Sequence, residues 1–484
     1  MQVRVASLRR RAHSARLAEP ICTRLELRNC PGFASLRAAA RRATMPQKAL
    51  FTPIRLHPGL TLSHRVVLAP LTRNRASEPS LCANELHVDY YAQRASEGGL
   101  LITEAICISP EAVGYPSVPG LWTDAQVDAW RSVTAAVHAN GGRIFAQLWH
   151  TGRVAHPDYG QHPLLRDSGL PLPSISASAV PCRHPKSGKV LNTFTYDGKV
   201  AHATPRALPL DEIPRLLADY RRAARNALRA GFDGVELHAA HGYLIDQFLQ
   251  DGVNVRTDDY GGSIENRCRL LFDVVDTLSA TVGAGRLAVR LSPTTIDPAT
   301  GRQNQLYYGT TSTDPDGTYA HAVAGLNRWP LAYLLLTESR WTGKDDHDVH
   351  SDTGFAKPLT NAKYRRIYKG TLVAAGGFTP AAAEEAVAEG TYDMIAFGRW
   401  FLSNPDLPEK LRTGAPLNVY DRATFYTPTA FGGDGTGYTD YPSADGTVGA
   451  PGKYPLLEQG RIGRSLAEAK AAPAAAASPP RSRL

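Results

Sequence analysis

Short unbroken runs of apolar residues alternate along this chain with longer stretches whose apolar positions recur every three to four residues. The runs are Val66–Leu71, Leu100–Ser109, Arg143–His150, Gly234–His241, Leu287–Pro293, Leu331–Ser339, Thr371–Phe378 and Met394–Phe401. Continuous rather than alternating apolar character marks strands covered on both faces, as in a parallel sheet. Between the runs lie helical periods. Asp124 to Asn140 opens on Thr123 and closes at Gly141-Gly142; Asp211 to Ala230 keeps Leu216, Leu217, Tyr220, Ala224, Ala227 and Leu228 on one stripe and stops at Gly231. Strand then helix, eight times over, predicts an α/β chain closed into a (β/α)8 TIM barrel. An open doubly wound sheet would carry Gly-x-Gly-x-x-Gly after its first strand, and Ala69-Pro70-Leu71-Thr72-Arg73 stands there instead.

Extra segments fit around this frame. Leu50 to Val66 reads as a hairpin closing the barrel floor. Ser174 to Leu208, rich in Pro, Ser and Thr, is too long for a simple connection and predicts a small excursion over the active face, with Pro298 to Thr318 a second polar insertion on the same side. The domain reading is residues 1–44 as a basic extension, 45–442 as the barrel and 443–484 as an Ala/Pro-rich tail that cannot bury a core.

Charge changes the picture by where it sits. The chain carries a formal +9, but ten arginines against Glu19 and Glu26 concentrate it before Met45, and the remainder is close to neutral. That distribution argues against a nucleic-acid partner. The Arg-rich segment has the bias of a plastid or mitochondrial transit peptide, or else translation starts at Met45 and the protein stays cytoplasmic unless its tail directs it. The final Ser482-Arg483-Leu484 is a basic variant of a peroxisomal address, so the expected location is the peroxisome, through an import receptor reading that tail. No apolar run spans a bilayer. Six scattered cysteines without a Cys-x-x-Cys pair argue against a disulfide framework, a zinc ribbon or an iron–sulfur cluster.

The chemistry is expected at the carboxyl ends of the strands. His238-Ala-Ala-His241-Gly-Tyr243 places two imidazoles and a phenol just past the fourth strand. Two donors can hold an oxygen that is gaining negative charge, and a phenol can hand over a proton, the equipment for reducing a C=C bond conjugated to a carbonyl. Glycines 376, 377 and 398, with Arg399, read as a phosphate site after strands seven and eight. Thr72, Gln147 and Arg290 offer polar groups to the rim of a flat heterocycle. One phosphate end, one polar edge and an apolar bed match a non-covalent FMN. A metal held by His238 and His241 would lack a third ligand at matching spacing, so none is expected. Glu236, inside strand four, reads as internal packing.

The chain resembles the old yellow enzyme family, and within it the plant-type 12-oxophytodienoate reductases, from about Leu50 to Pro442. Six motifs in matching order carry the resemblance: Ala69–Arg73, Gln147-Leu-Trp-His-Thr-Gly-Arg153, His238–Phe248, Arg256-Thr-Asp-Asp-Tyr-Gly-Gly-Ser-Ile-Glu-Asn-Arg267, Gly398–Pro405 and Asp421–Tyr426. It implies flavin-ring contacts at Thr72, Gln147 and Arg290, backbone and packing contacts at Ala69, Pro70, Leu71 and Ala105, and phosphate contacts at Gly376, Gly377, Gly398 and Arg399. His238 and His241 resemble the pair that grips the enone oxygen, Tyr243 the proton donor, and Trp149 and Tyr426 the pocket wall. NADPH would reduce the flavin, whose N5 then passes hydride to the β-carbon of the enone. The implied substrate is a cyclopentenone of the 12-oxophytodienoate type, for a monomer or homodimer; a general enone or quinone fits the same site. Three rivals are weaker. An aldolase-type barrel would want a lysine at a strand end and has none. A dienoyl-CoA reductase type would want a cysteine-ligated cluster. A flavin store would have no use for Tyr243. The insertion at Thr294–Thr318 and the Ser339-Arg340-Trp341 run depart from the family pattern at the substrate mouth.

Overall fold

The computed structural model describes residues 48–166, 174–185, 187–296, 303, 307–338 and 360–447. The basic extension, most of the Ala/Pro-rich tail and the Ser339-Arg340-Trp341 run lie outside these residues.

Eight parallel strands close on themselves: β1 Val66–Leu68, β2 Leu100–Cys107, β3 Arg143–Trp149, β4 Gly234–His238, β5 Leu287–Leu291, β6 Tyr333–Thr337, β7 Leu372–Ala375 and β8 Met394–Phe397. Each pairs with its neighbour in sequence, and β8 returns to β1 through Ile395–Val66, Ala396–Val67 and Phe397–Leu68. All eight apolar runs therefore became strands, but each ladder stops before its run does, by one residue in β3 and by four in β8. Past the last ladder bond the runs pass into loops or, after β8, into the helix Arg399–Ser403.

Side chains pointing into the barrel change character along its axis. Phe145, Ala288, Tyr333 and Leu335 share one interior cluster with Leu56, Leu60 and Leu62 of the antiparallel hairpin Ile54–His57 and Leu60–Leu62. The hairpin thus covers the amino-terminal end, as expected, and Ser63 N–H donates to Gly98 O ahead of β2. Two residues further along the same strands, the same parity gives Gln147, Arg290 and Thr337, all buried. The interior is apolar at the closed end and polar at the open one.

The helices follow their caps. Asp124–Ala139 starts with a capping box, Gln126 N–H donating to Thr123 Oγ1 at 3.2 Å and Thr123 N–H to Gln126 Oε1 at 3.1 Å. Ile213–Arg229 begins two residues later than its period suggested, because Leu210–Glu212 forms a 3-10 turn. The excursion holds two small sheets, Ile175–Ser176 beside Arg206–Ala207 and the hairpin Asn192–Thr195/Gly198–Ala201. Arg256 fastens its base, donating to Ala177 O and Leu208 O while paired with Asp258 at 2.6 Å.

Candidate active site

His238 closes β4 with its ring 5 % exposed. The Ala240 N–H donates to His238 Nδ1 at 3.3 Å, which leaves the ring proton on Nε2, free to donate. Burial, with the nearby Arg290 guanidinium, holds this imidazole well below its ordinary pKa, so it is neutral. His241 sits at φ 58, a left-handed position, with its N–H donating to Ser292 Oγ at 2.7 Å. Its Nε2 lies 3.1 Å from Thr337 Oγ1, which also accepts from Arg290 Nε at 3.3 Å. Burial lowers the pKa of this ring too. The two imidazoles stand edge to face, centroids 5.4 Å apart.

Tyr243 follows at the start of helix Leu244–Leu249, its ring edge-on to Trp149 at 4.8 Å and to His238 at 5.1 Å. Burial raises its phenol well above 10, which keeps it protonated. Asp246 Oδ2 accepts from Gly242 N–H at 2.8 Å and sets the turn between histidine and tyrosine. Gln247 bridges this segment to the third strand's loop, donating to Gly242 O at 2.8 Å and Thr151 O at 3.1 Å. Two of the motifs are thereby locked together.

Below the mouth, Gln147 Nε2 donates to Glu236 Oε1 at 2.7 Å, its direct neighbour across the β3–β4 ladder. Burial raises the Glu236 carboxyl while Arg290 opposes the shift. Glu236 is thus interior, as expected, but it also points the Gln147 amide. Arg290 Nη1 reaches Pro70 O at 3.5 Å, drawing the end of β1 to the same edge. Ala69 is buried, while Leu71 and Thr72 are half-buried. Ala105 follows a break in register after Ile102 and pairs with Gln147, the kind of irregularity that re-aims a strand at a site.

Gly376 and Gly377 have φ 122 and 76 after β7. A Cβ at Gly376 would meet Glu338 O at 2.6 Å, so only glycine allows this approach. Gly398 and Arg399 follow the adjacent β8, and Arg399 Nη1 donates to Tyr420 OH at 2.9 Å. Tyr426 is 59 % exposed, while Trp149 is covered, its Nε1 without a hydrogen-bonding partner among the described residues. Arg73 brings the Tyr426 segment to the mouth, donating to Phe425 O at 3.0 Å and Gly437 O at 2.7 Å.

Several contributors had not been singled out. Thr337 joins Arg290 to His241. Tyr115, after β2, stacks parallel to Trp149 at 5.8 Å, and its hydroxyl is 3.2 Å from that of Tyr243. Tyr307 packs against His241 at 4.9 Å, and the Tyr308 hydroxyl lies 3.2 Å from that of Tyr243. A Tyr-Tyr-Gly run within a polar insertion was the available signal, since a polar loop has no packing reason for two aromatic residues.

Residues 49–418 match the model of the NADH:flavin oxidoreductase / NADH oxidase family. The chain is 41% identical over 404 residues to 12-oxophytodienoate reductase 2 of Arabidopsis thaliana, covering 82% of this chain and 96% of that one. It is 41% identical over 415 residues to a flavin oxidoreductase of Emericella nidulans, covering 82% and 98%. Among solved structures, the old yellow enzyme homologue from Zymomonas mobilis superposes with a TM-score of 0.69 at 42% identity, covering 81% and 99%. Morphinone reductase gives 0.70 at 40%, covering 83% and 98%, and a related morphinone reductase structure contains tetrahydroNAD.

Proposed function

This chain belongs to the NADH:flavin oxidoreductase / NADH oxidase family, the family of the old yellow enzymes, and we propose that it is an NADPH-dependent, FMN-containing reductase of α,β-unsaturated carbonyls. An oxidoreductase acting on C=C bonds is what its relatives make it. The finer assignment rests on one observation: two neutral imidazoles, His238 buried and His241 half-buried, and a protonated phenol share the barrel mouth with Arg290 and Gln147.

The residues fit a flavin nucleotide. Gly376 and Gly377 turn the chain at φ 122 and 76 directly after β7, where backbone N–H groups can face an anion, and Arg399 supplies a cation after the adjacent β8. Arg290 and Gln147 present donors and an amide carbonyl to one polar edge. Bound there, FMN would take hydride from the nicotinamide and supply it to the substrate's β-carbon. His238 Nε2–H, with His241, donates to the carbonyl oxygen and stabilises the charge that develops on it, an effect worth about 3–4 kcal/mol per donor in comparable sites. Neutral rings serve this purpose because they donate without adding a third cation beside Arg290. Tyr243 then delivers its proton to the α-carbon.

The relatives' name supports a cyclic enone, of which a 12-oxophytodienoate-type cyclopentenone is the first to try. The test is direct. Purified protein should show flavin bands near 380 and 450 nm that NADPH bleaches and an enone restores, with FMN released on denaturation. A colourless protein that refuses added FMN would remove the proposal. A coloured protein whose Tyr243→Phe form turns enones over at the wild-type rate would remove the assigned acid.

A further inference from the structure

The insertion after β5 brings a third phenol to the proton donor. Tyr243 OH lies 3.2 Å from Tyr115 OH and 3.2 Å from Tyr308 OH, and the latter two hydroxyls touch each other, so three oxygens close a triangle. Tyr308 is fixed there from three directions. Its backbone is left-handed, at φ 50 and ψ 26, which a non-glycine residue adopts only when its surroundings hold it. Its carbonyl accepts from Arg153 Nη2 at 3.1 Å, and the same buried guanidinium is anchored on Val180 O at 3.0 Å. Its ring meets His202 edge-on at 6.1 Å and leans on Tyr243 at 5.5 Å. Gly309 completes the fit, because a Cβ there would collide with Arg183 O.

We propose that Tyr308 is a positioning residue for proton delivery: with Tyr115 it holds the Tyr243 hydroxyl and donates to the Tyr243 oxygen once that oxygen has lost its proton. The inference rests on the reading of Tyr243 as the acid. In the step, the Tyr243 O–H bond breaks, a C–H bond forms at the α-carbon, and the electron pair stays on the Tyr243 oxygen. Tyr243 is half-buried, and the desolvation that raises its phenol makes its oxygen, left alone, a costly place for charge. Two neighbouring O–H groups aimed at it turn an unsupported phenolate into one holding two charge-assisted hydrogen bonds. Tyr243 and Tyr308 are both half-buried, so water restores the proton to Tyr243 after the step.

The test uses the FMN-loaded enzyme and separates its two half-reactions. In Tyr308→Phe, reoxidation by an enone should slow by ~10- to 100-fold, the loss of one hydrogen bond to a charged oxygen. Flavin reduction by NADPH, which needs no proton from Tyr243, should stay within about twofold, as should reoxidation by a quinone, which is protonated on oxygen. Tyr243→Phe/Tyr308→Phe should be no slower with enone than Tyr243→Phe alone. In protein labelled with 13C at the tyrosine Cζ, the resonance absent from Tyr243→Phe should move in Tyr308→Phe at neutral pH. A Tyr308→Phe protein that slows all three reactions alike, or whose loss adds fully to that of Tyr243→Phe, overturns the proposal in favour of a packing role. If Tyr243→Phe is slow with enone while Tyr308→Phe is normal, only this inference falls; if Tyr243→Phe is itself normal, the acid falls with it.

Discussion

Removing the two imidazoles one at a time should give unequal losses. His238 has one ring nitrogen occupied by the Ala240 N–H and its Nε2–H unclaimed by any acceptor among the described residues. His241 instead has its Nε2 committed to Thr337, whose hydroxyl is also bonded to Arg290. The enone oxygen therefore takes its stronger contact from His238. Loss of one donor at a water-excluded oxyanion costs about 2.7–4 kcal/mol, or about 10²–10³ in rate. His238→Ala should reach that range in the single-turnover reoxidation of flavin by an enone. His241→Ala should lose roughly tenfold, the worth of an ordinary neutral hydrogen bond, because its ring is shared with a competing partner. The assay is stopped-flow absorbance at saturating enone, with FMN content measured for each protein so that cofactor loss is not mistaken for slow chemistry. Equal losses, or a larger one for His241→Ala, would refute the inequality and show that Thr337 rotates away when substrate binds.

Other perturbations test the supporting structure. Gly376→Ala forces a side chain to a φ of 122 against Glu338 O, whereas a Cβ at Gly398 would meet only Leu71 Cδ2 at 3.4 Å; at about 1–3 kcal/mol for such strain, Gly376→Ala should release FMN roughly tenfold more readily on dilution and Gly398→Ala hardly at all. Burial holds His64 and His202 at about 4. Both rings are neutral in the fold and take protons near 6.5 once unfolded, so the stability they contribute is whole above pH 6.5 and lost as pH falls through about 4. That is about 3 kcal/mol each, opposed among the described residues by the raised carboxyls of Asp219, Glu236 and Asp246; urea midpoints that stay flat from pH 7 to 5 would contradict it. Arg73→Ala removes charged donors from two well-bonded carbonyls, Phe425 O and Gly437 O, about 3 kcal/mol or more; limited proteolysis should cut between Phe425 and Gly437 while the barrel stays intact.

How much could be read beforehand divides along physical lines. The barrel was legible because its signal is burial, and unbroken apolar runs report burial directly. Strand ends were not, because apolar character measures cover and not ladder bonds: Ala69-Pro70-Leu71 is apolar in service of the mouth, not of β1. Residues on strands or just after them, such as His238, Gln147 and Arg290, were legible from register and motif together. Glu236 was legible as interior, but its bond to Gln147 needed the β3–β4 register, which pairs the two side by side. Thr337 was not legible, since a threonine closing a buried strand looks like any other, and Tyr308, in a loop without a period, was signalled only by the aromatic pair Tyr307-Tyr308.

The backbone itself separates the two ends of the barrel. Every non-glycine residue with positive φ among those described, namely Asn74, Leu81, Ser117, His241 and Tyr308, lies in a loop leaving the carboxyl end of a strand. None lies in the hairpin or in the turns feeding the amino-terminal ends, where only glycines such as Gly98 and Gly283 take that conformation. Strain of about 1–3 kcal/mol per residue persists only where neighbours hold it, and here they are visible: Ser292 Oγ accepts from His241 N–H, and Arg153 grips the Tyr308 carbonyl. The interior polarity runs the same way, from Phe145 and Ala288 at the floor to Gln147 and Arg290 at the mouth. The closed end accordingly contributes the stability that the open end spends on holding two histidines and a tyrosine cluster in place. Substitutions at the floor should therefore act chiefly on unfolding, and substitutions of the residues that hold these strained positions chiefly on turnover.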